Sequence, residues 1–280
     1  ITMLRLLTIE LHKLKYNKSA KAILIVYFIL ITFIALISSI EFNFGDFHFR
    51  IADQGIFNFP FIWHFNTWIA SILKLFLAIV IVAMMANEYS NRTLKQNLID
   101  GLSKKEFVIS KFLTVVLFSV VSTLFVFIVS LMLGLVFSDY NEFGIIFSDM
   151  EYLLAYFINL IGFFSFCLFI GILVKRSAFA LGFLLIWSII EGIIYGFLKW
   201  ERFRNTDSAD SIMQLFPLTS MSNLIKEPFS RLGAVQSAAS QLGEVLDKDY
   251  SVQFITVLIV LIWTCLFVYG SYAILKKRDL

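Results

Sequence analysis

The chain has 280 residues, of which 59% are hydrophobic and only 15% are charged, and its mean hydropathy is +0.85. This composition excludes a water-soluble globular domain, because about a quarter of the residues in such domains are charged. The net charge of +3 is small, and membrane topology accounts for the basic residues, so we expect no nucleic-acid partner. The sequence predicts a single membrane domain over residues 1–280.

The N-terminal segment, Met3 to Tyr16, has the periodicity of an amphipathic helix. One stripe is made of leucines, and polar residues cluster on another. The leucines are Leu4, Leu7, Leu11 and Leu14, and the polar residues are Arg5, Thr8, His12 and Lys15. Such a helix can lie in the membrane interface with its apolar face down. The alternative is that this segment is a cytoplasmic extension of the first span. The position of Ile9, an apolar residue on the polar side of the helix, supports this alternative.

Six segments are long and apolar enough to cross a bilayer, whose core needs roughly 20 apolar residues per helix. They are residues 20–40, 67–86, 108–136, 150–174, 178–198 and 252–275. All six are predicted to be helices, because an open strand edge in lipid would leave backbone groups unpaired. The fold class is therefore an all-α polytopic membrane protein with six transmembrane helices. The first segment is too long for a cleavable signal peptide.

The distribution of charge predicts the orientation of these spans. If the N-terminus is cytoplasmic, the inner segments hold most of the 23 basic residues and only a few of the 20 acidic ones. This asymmetry is the positive-inside pattern. We therefore expect both termini to be cytoplasmic.

The segment after the first span is rich in aromatic residues. They are Phe42, Phe44, Phe47, Phe49, Phe57, Phe59, Phe61, Phe65, Trp63 and Trp68. The alternation of residues 57 to 61 predicts an extended segment with its aromatic rings on one side. We favour an aromatic belt that anchors this loop at the interface. The alternative is an apolar lip that handles a hydrophobic substrate at the outer leaflet.

A polar insert, residues 87–111, separates the second and third spans. Leu94 and Leu98 share one face of a short helix that begins near Arg92 and ends before Gly101, a residue suited to a helix C-terminus. Ser103 and Glu106 form a capping box, which predicts the start of a helix that continues into the third span. A short helix with its two leucines exposed would suit a partner's groove. The alternative is an ordinary solvated basic connector.

Lys74, Asn159 and Glu191 are polar residues within the predicted spans, where ionisable groups are costly and usually functional. Lys74 and Glu191 lie at matching depths, so we expect them to pair or to share a polar cavity. The alternative is that Lys74 extends to the outer interface while Glu191 is hydrated separately. Asn159 is expected to form a hydrogen bond between packed helices.

The outer segment between the fifth and sixth spans covers residues 199–251. Residues 233–250 are predicted to form one weakly amphipathic helix.

The cysteines Cys167 and Cys265 both lie in spans, and the three histidines lack ligand spacing, so we expect neither a disulfide nor a metal site.

The insert resembles that of the ABC-2 type (type-2 ABC exporter) permeases, whose six-span subunits pair with separate ATP-binding-cassette ATPases. Their loop has roughly an acidic residue, Gly-Thr-Leu, a leucine, Pro-x-Ser-Arg, a glutamate and Gly-Lys. The matching residues here are Glu88, Thr93, Leu94, Leu98, Ser103, Glu106 and Lys111. The departures are Arg92 and Ser110 for glycines, Gly101 for the proline and Lys104 for the arginine.

The resemblance extends to the whole chain and implies a function. It assigns the insert as a cytoplasmic coupling helix that docks on the ATPase, with Glu88, Thr93, Leu94, Leu98, Ser103, Lys104 and Glu106 as the coupling residues. It implies short outer helices before the sixth span, with residues 216–218 and 223–225 resembling the family's semi-buried turn. It also implies two permeases, either two copies or a related pair, with two ATPases in the inner (plasma) membrane of a bacterium.

The chain has no phosphate-binding Gly-x-x-x-x-Gly-Lys-Ser/Thr motif. We therefore expect a non-catalytic subunit without a cofactor, with ATP and Mg held by the partner ATPase.

The spans lack the row of charges expected of an ion pathway, which favours a hydrophobic or amphipathic cargo such as a lipid, peptide or drug. Export follows from the resemblance alone. The alternatives are an ATP-independent channel or assembly scaffold and, with no catalytic motif to favour it, an intramembrane enzyme.

Overall fold

The structure is a computed structural model that describes residues 3–37, 41–44, 47–50, 55–140, 142–202, 208–242 and 248–278. Its elements, in chain order, are α1 (Met3–Tyr16), α2 (Lys18–Ile37), β1 (Glu41–Phe44), β2 (Phe47–Arg50), α3 (Phe61–Ser90), α4 (Thr93–Ile99), α5 (Lys104–Phe137), α6 (Phe143–Ile146), α7 (Glu151–Val174), α8 (Ser177–Phe197), α9 (Ser208–Met213), α10 (Pro217–Ser222), α11 (Gly233–Gln241) and α12 (Phe254–Lys277). A π-helical turn, Leu198–Arg202, follows α8, and a 3₁₀ turn, Phe229–Arg231, precedes α11.

The membrane-spanning architecture agrees with the sequence prediction. Within the described residues, five helices are long and apolar enough to cross a membrane by themselves, namely α3, α5, α7, α8 and α12. The bent pair of α1 and α2 passes the same test together, which makes up to six. The fold is an all-α polytopic membrane domain with one short hairpin. The central helix is α7, which is largely buried and packs against α3, α5, α8 and α12.

Helix α1 lies across the start of the bundle, because it meets α2 at an angle of 89°. Asn17 makes this corner: its side-chain Oδ1 accepts a hydrogen bond from the backbone N–H of Ala20 at 3.1 Å, which caps the first turn of α2. The predicted leucine stripe faces the bundle only in part. Leu14 of the stripe is buried, together with Leu6 and Glu10, whereas Leu11 is exposed.

The aromatic outer segment folds differently from the prediction. Residues 55–60 form a turn rather than an extended strand, and Phe57, Phe59 and Trp63 are buried inside the bundle. The indole N–H of Trp63 donates to the carbonyl of Ile146 at 2.8 Å. These three rings therefore pack in the core instead of forming an interfacial belt or lip. The side chains of Phe42, Phe44, Phe47 and Phe49 lie outside the part of the structure that is described. The unpredicted hairpin pairs β1 with β2 in antiparallel register, with Glu41 opposite Arg50.

The outer segment before α12 is only partly as predicted. Helix α11 covers Gly233–Gln241, and residues 248–250 are not helical, so a single helix over 233–250 is wrong. Residues 243–247 lie outside the described residues. Helix α10 packs against α7, α8 and α12, and Leu224 and Ile225 behind it are buried, as the resemblance to a semi-buried turn implies.

We expect Gly134→Ala to lower the free energy of unfolding by roughly 1–3 kcal/mol, as overpacking of a close contact usually does. A Cβ atom at Gly134 would lie 2.6 Å from Cε2 of the Phe59 ring, and that ring is held in the core. The measurement is reversible unfolding by sodium dodecyl sulfate in mixed micelles.

The matched control is Gly182→Ala in α8, where an added Cβ meets nothing within 4 Å. This change should be neutral or stabilising, since alanine is the better helix former by about 1 kcal/mol. Equal effects of the two substitutions would contradict the assigned contact between Gly134 and Phe59.

Candidate functional site

The polar insert folds as the sequence predicts. Helix α4 covers Thr93–Ile99, and Gly101 follows with a φ of +96°. The N–H of Gly101 bonds to the carbonyl of Leu98 at 3.2 Å, and the N–H of Leu102 bonds to the carbonyl of Asn97 at 3.0 Å. This pair of bonds is a Schellman motif, which needs a residue in the left-handed region at the position of Gly101.

The capping box at the start of α5 is present with both of its halves. The backbone N–H of Glu106 donates to Oγ of Ser103 at 3.2 Å, and Oε2 of Glu106 accepts from the backbone N–H of Ser103 at 2.9 Å. The helix then continues without a break to Phe137. The insert is therefore two helical segments joined by one turn.

Arg92 precedes α4 in the left-handed region, with a φ of +55°. A non-glycine residue there costs roughly 1–2 kcal/mol, because its Cβ crowds the following carbonyl. The permeases that the insert resembles have glycine at this position. The conformation of the loop thus agrees with their pattern even though the residue does not.

The orientation of α4 differs from the prediction. Leu94 is buried and Leu98 is half-buried, and both pack onto the core of the bundle. The expectation that these two leucines are exposed for a partner is wrong, because they hold α4 against its own membrane domain. The exposed face of α4 and its flanks instead carries Arg92, Lys95, Gln96, Ile99 and Asp100. Ile99 is the large apolar residue on this face and is 69% exposed.

A buried ion cluster lies beneath the insert. Lys111 of α5 is fully buried, and its Nζ contacts Oε2 of Glu10 at 2.6 Å and Oε1 of Glu88 at 2.6 Å. Glu10 and Glu88 are only 3% and 4% exposed. Buried charges of this kind are tolerated only when they are paired and hydrogen-bonded. Lys111 therefore joins α1, α3 and α5 at one point.

Lys13 completes this cluster, which we call the ion cluster and define as Glu10, Lys13, Glu88 and Lys111. Nζ of Lys13 lies 2.8 Å from Oε1 of Glu88 and 3.4 Å from Oε1 of Glu10. Two carboxylates thus balance two ammonium groups. Oγ1 of Thr93 donates to the other oxygen of Glu88, Oε2, at 2.6 Å. The first residue of α4 is thereby tied to the cluster.

Half of this cluster could be predicted from the sequence. Glu88, Thr93 and Lys111 belong to the loop pattern, whereas Glu10 and Lys13 were not singled out. One signal could have found Glu10, because a carboxylate on an otherwise apolar helical stripe with Leu6 and Leu14 needs a cationic partner.

The first turn of α5 also contacts the chain's C-terminal segment. Nζ of Lys104 donates to the carbonyls of Lys276 at 3.3 Å and Arg278 at 2.8 Å. The guanidinium of Arg278 in turn donates to the hydroxyl of Tyr89 at 3.2 Å and to the carbonyl of Leu173 at 2.9 Å. The ends of α3, α7 and α12 are therefore linked beside the insert.

Lys74 and Glu191 do not pair with each other, so the predicted contact between them is wrong. Nζ of Lys74 donates to Oδ1 of Asn159 at 2.6 Å and lies 4.7 Å from the centre of the Phe163 ring. Nδ2 of Asn159 donates to the carbonyl of Met221. Asn159 thus connects α7 with α3 and with the end of α10, as a helix-packing residue would.

Glu191 caps a short helix instead. Its Oε1 accepts from the indole of Trp187 at 2.7 Å and from the N–H of Leu218 at 3.1 Å, and its Oε2 accepts from the N–H and Oγ1 of Thr219, both at 2.8 Å. A carboxylate is well suited to this place, because the first N–H groups of a helix have no partner within it. A polar cavity of about 390 Å³ lies beside Glu191 and is also lined by Tyr195 and Asp210.

The side chain of His64, on α3, packs against the outer segment. Its Nδ1 contacts the guanidinium of Arg231 at 3.2 Å, and its Nε2 contacts the carbonyl of Lys226 at 2.8 Å. A guanidinium only donates, so Nδ1 accepts and Nε2 carries the proton. The ring also stacks on Tyr152 with 4.2 Å between the ring centres. Within the described ranges, no three His, Cys, Asp or Glu side chains are grouped to hold a metal ion.

An exposed ion pair stabilises the outer segment. Nζ of Lys248 donates to Oε1 of Glu227 at 2.8 Å, and this hydrogen bond raises the pKa of Lys248. Partial burial raises the pKa of Glu227, but hydrogen bonds from Lys248 and Ser230 outweigh it, so the net pKa is lowered. Both groups are charged at neutral pH, and the pair contributes little because it is exposed.

Comparison with known proteins identifies the family. No curated protein matches the chain significantly. The family model described as ABC-2 family transporter protein matches residues 53–275. The matched region begins before α3 and ends within α12. It therefore includes the insert, Lys111, four of the five helices that qualify as spans by themselves, and most of the fifth, α12. The chain therefore belongs to the ABC-2 transporter family and is the membrane-spanning permease of an ABC transporter.

Proposed function

We propose that the chain is the permease subunit of an exporter driven by a separate ABC ATPase, and that the ATPase docks on the exposed face of α4. One observation carries this proposal: the inner face of α4 packs on the bundle core, while its outer face is exposed. Leu94 and Leu98 pack inward, Thr93 is hydrogen-bonded to the ion cluster, and Ile99 points away from the bundle with 69% of its surface exposed.

This arrangement suits α4 to transmit motion. ATP binding and hydrolysis would close and open the ATPase pair and push on α4. Because Thr93 bonds to Glu88 of α3, and Glu88 to Lys111 of α5, a displacement of α4 reaches both spans through short, buried contacts. Glu10 passes the same displacement to α1. Switching transitions of this kind move packed elements as rigid bodies.

The remaining features of the proposed transporter follow from this docking. The insert and both chain termini face the cytoplasm, where the ATPase holds ATP and Mg. A second permease, either another copy of this chain or a relative, completes the assembly in the plasma membrane of a bacterium. The proposed cargo is hydrophobic or amphipathic.

The test is Ile99→Asp in the full chain, purified gently from its native membrane with its companions quantified by mass spectrometry. We expect an ABC ATPase to co-purify with the unmodified chain and its recovery to fall on the order of tenfold or more in the variant, as for a central interface residue. Leu94→Asp is unsuitable here, since it would bury a charge and unfold the insert.

The matched control is Leu242→Asp, which changes an even more exposed apolar residue in the outer segment after α11. It should leave recovery of the ATPase unchanged. Full retention of the ATPase by Ile99→Asp would overturn α4 as the docking surface. Recovery of no ATPase by the unmodified chain, under conditions that preserve other membrane complexes, would favour an ATP-independent channel or scaffold.

A further inference from the structure

A second surface of the molecule is a groove between α5 and α12. Its volume is about 370 Å³, within the range of roughly 300–1,000 Å³ typical of ligand pockets. One wall is α5, with Val108 and Phe112, and the other is α12, with Cys265, Val268 and Tyr272. Among the residues that the structure describes, Lys105 is the charged residue that lines it.

The groove runs along the helices rather than into the bundle. It follows α12 from Thr264 to Tyr272, a length of about 12 Å at 1.5 Å per residue. Cys265 and Tyr269 on this wall are exposed, so the groove opens sideways where lipid surrounds the spans. Its shape suits an extended apolar chain that lies parallel to the helices.

The end of the groove near the chain termini is basic. Lys105 lies there in the first turn of α5, and Lys276 and Lys277 lie in the last turn of α12. The hydrogen bond from Lys104 to the carbonyl of Lys276, at 3.3 Å, holds these two turns together. An apolar channel with ammonium groups at one end is complementary to an amphiphile with an anionic head.

We propose that this groove binds one anionic phospholipid, with an acyl chain between α5 and α12 and its phosphate beside Lys105. Basic pockets between membrane helices are suited to anionic head groups, and each lysine near the surface adds attraction. The site uses none of the residues of the ion cluster. It does not depend on the docking of an ATPase.

The experiment is native mass spectrometry of the purified, delipidated full chain, titrated with phosphatidylglycerol or phosphatidylcholine in detergent. We expect one phosphatidylglycerol to bind in clear preference to phosphatidylcholine. Lys105→Gln should weaken phosphatidylglycerol binding about fivefold, the equivalent of the ~1 kcal/mol that one lysine contributes. Cys265→Trp, which fills the groove with an indole, should abolish the preferred binding.

Two controls make the result specific. Lys18→Gln removes an exposed lysine at the start of α2, away from the groove, and Leu266→Trp adds an indole at the neighbouring exposed position of α12 that does not line it. Both should bind phosphatidylglycerol like the unmodified chain, and thermal unfolding should show all four variants folded. The proposal is overturned if there is no preference for the anionic lipid, or if Cys265→Trp retains it. It is also overturned if binding tracks self-association of the chain, since a second copy would then be the occupant.

Discussion

Replacing Lys111 by methionine is expected to lower the free energy of unfolding by roughly 3–5 kcal/mol, the usual cost of removing one partner from a buried ion pair. The variant leaves Glu10 and Glu88 buried and facing each other, with only Lys13 between them. Both carboxylates lie within 2.6 Å of the lost ammonium group. Reversible unfolding by dodecyl sulfate in mixed micelles measures the loss.

Two comparisons separate this effect from a general response to losing a lysine. Lys105→Met removes an exposed lysine that lies earlier on the same helix, in its first turn, and should change stability by less than about 0.5 kcal/mol. Adding Glu10→Gln and Glu88→Gln to Lys111→Met should restore part of the stability, because neutral groups are cheaper to bury. A loss for Lys111→Met no greater than that for Lys105→Met would show that the ion cluster does not bear on stability.

The second large effect is expected at Glu191, where replacement by glutamine should cost on the order of 3 kcal/mol. The carboxylate of Glu191 accepts hydrogen bonds through two oxygens, whereas an amide has only one acceptor oxygen. The NH₂ group of the glutamine would take the place of the other oxygen. It would then face another donor, which is an N–H group of Leu218 or Thr219 or the Trp187 indole. An unpaired buried donor costs roughly 1–3 kcal/mol. Unfolding in mixed micelles reports the total, and hydrogen exchange at Leu218 and Thr219 reports the local release of α10.

Glu142→Gln is the matched control, since this exposed carboxylate precedes α6 and makes no side-chain capping bond to it. It should leave both measurements unchanged. Slow exchange at Leu218 and Thr219 in the Glu191→Gln variant would contradict the capping role of this carboxylate. Such an outcome would leave Glu191 available for a partner inside the adjacent cavity.

The two predictions concern opposite ends of the molecule and share one physical cause. In each case a buried acidic side chain from one helix satisfies groups on another element. Glu88 ties α4 to the spans through Thr93, and Glu191 ties α10 to α8 through two backbone N–H groups. The chain thus uses buried carboxylates to attach its short helices to the membrane-spanning bundle.

Features set by neighbouring residues could be predicted from the sequence. The span positions follow from runs of apolar residues, and the bounds of α4 and the start of α5 follow from Gly101, Ser103 and Glu106. These signals act over one helical turn, through bonds such as the one between Ser103 and Glu106. The resemblance of the insert to ABC-2 permeases, later confirmed by the family match, rests on the same local order of residues.

Tertiary structure alone decided which way each helix faces and which distant charges meet. A span is apolar on all sides, so its sequence does not show whether Lys74 points towards Glu191 or towards Asn159. Lys74 and Glu191 lie at similar depths in their spans, but this similarity does not bring their side chains together. Leu94 faces inward because the ion cluster and the bundle core lie behind α4. Glu10 contacts Lys111, which is 101 positions away in the sequence, because α1 lies nearly perpendicular to α2, at 89°, across the end of the bundle.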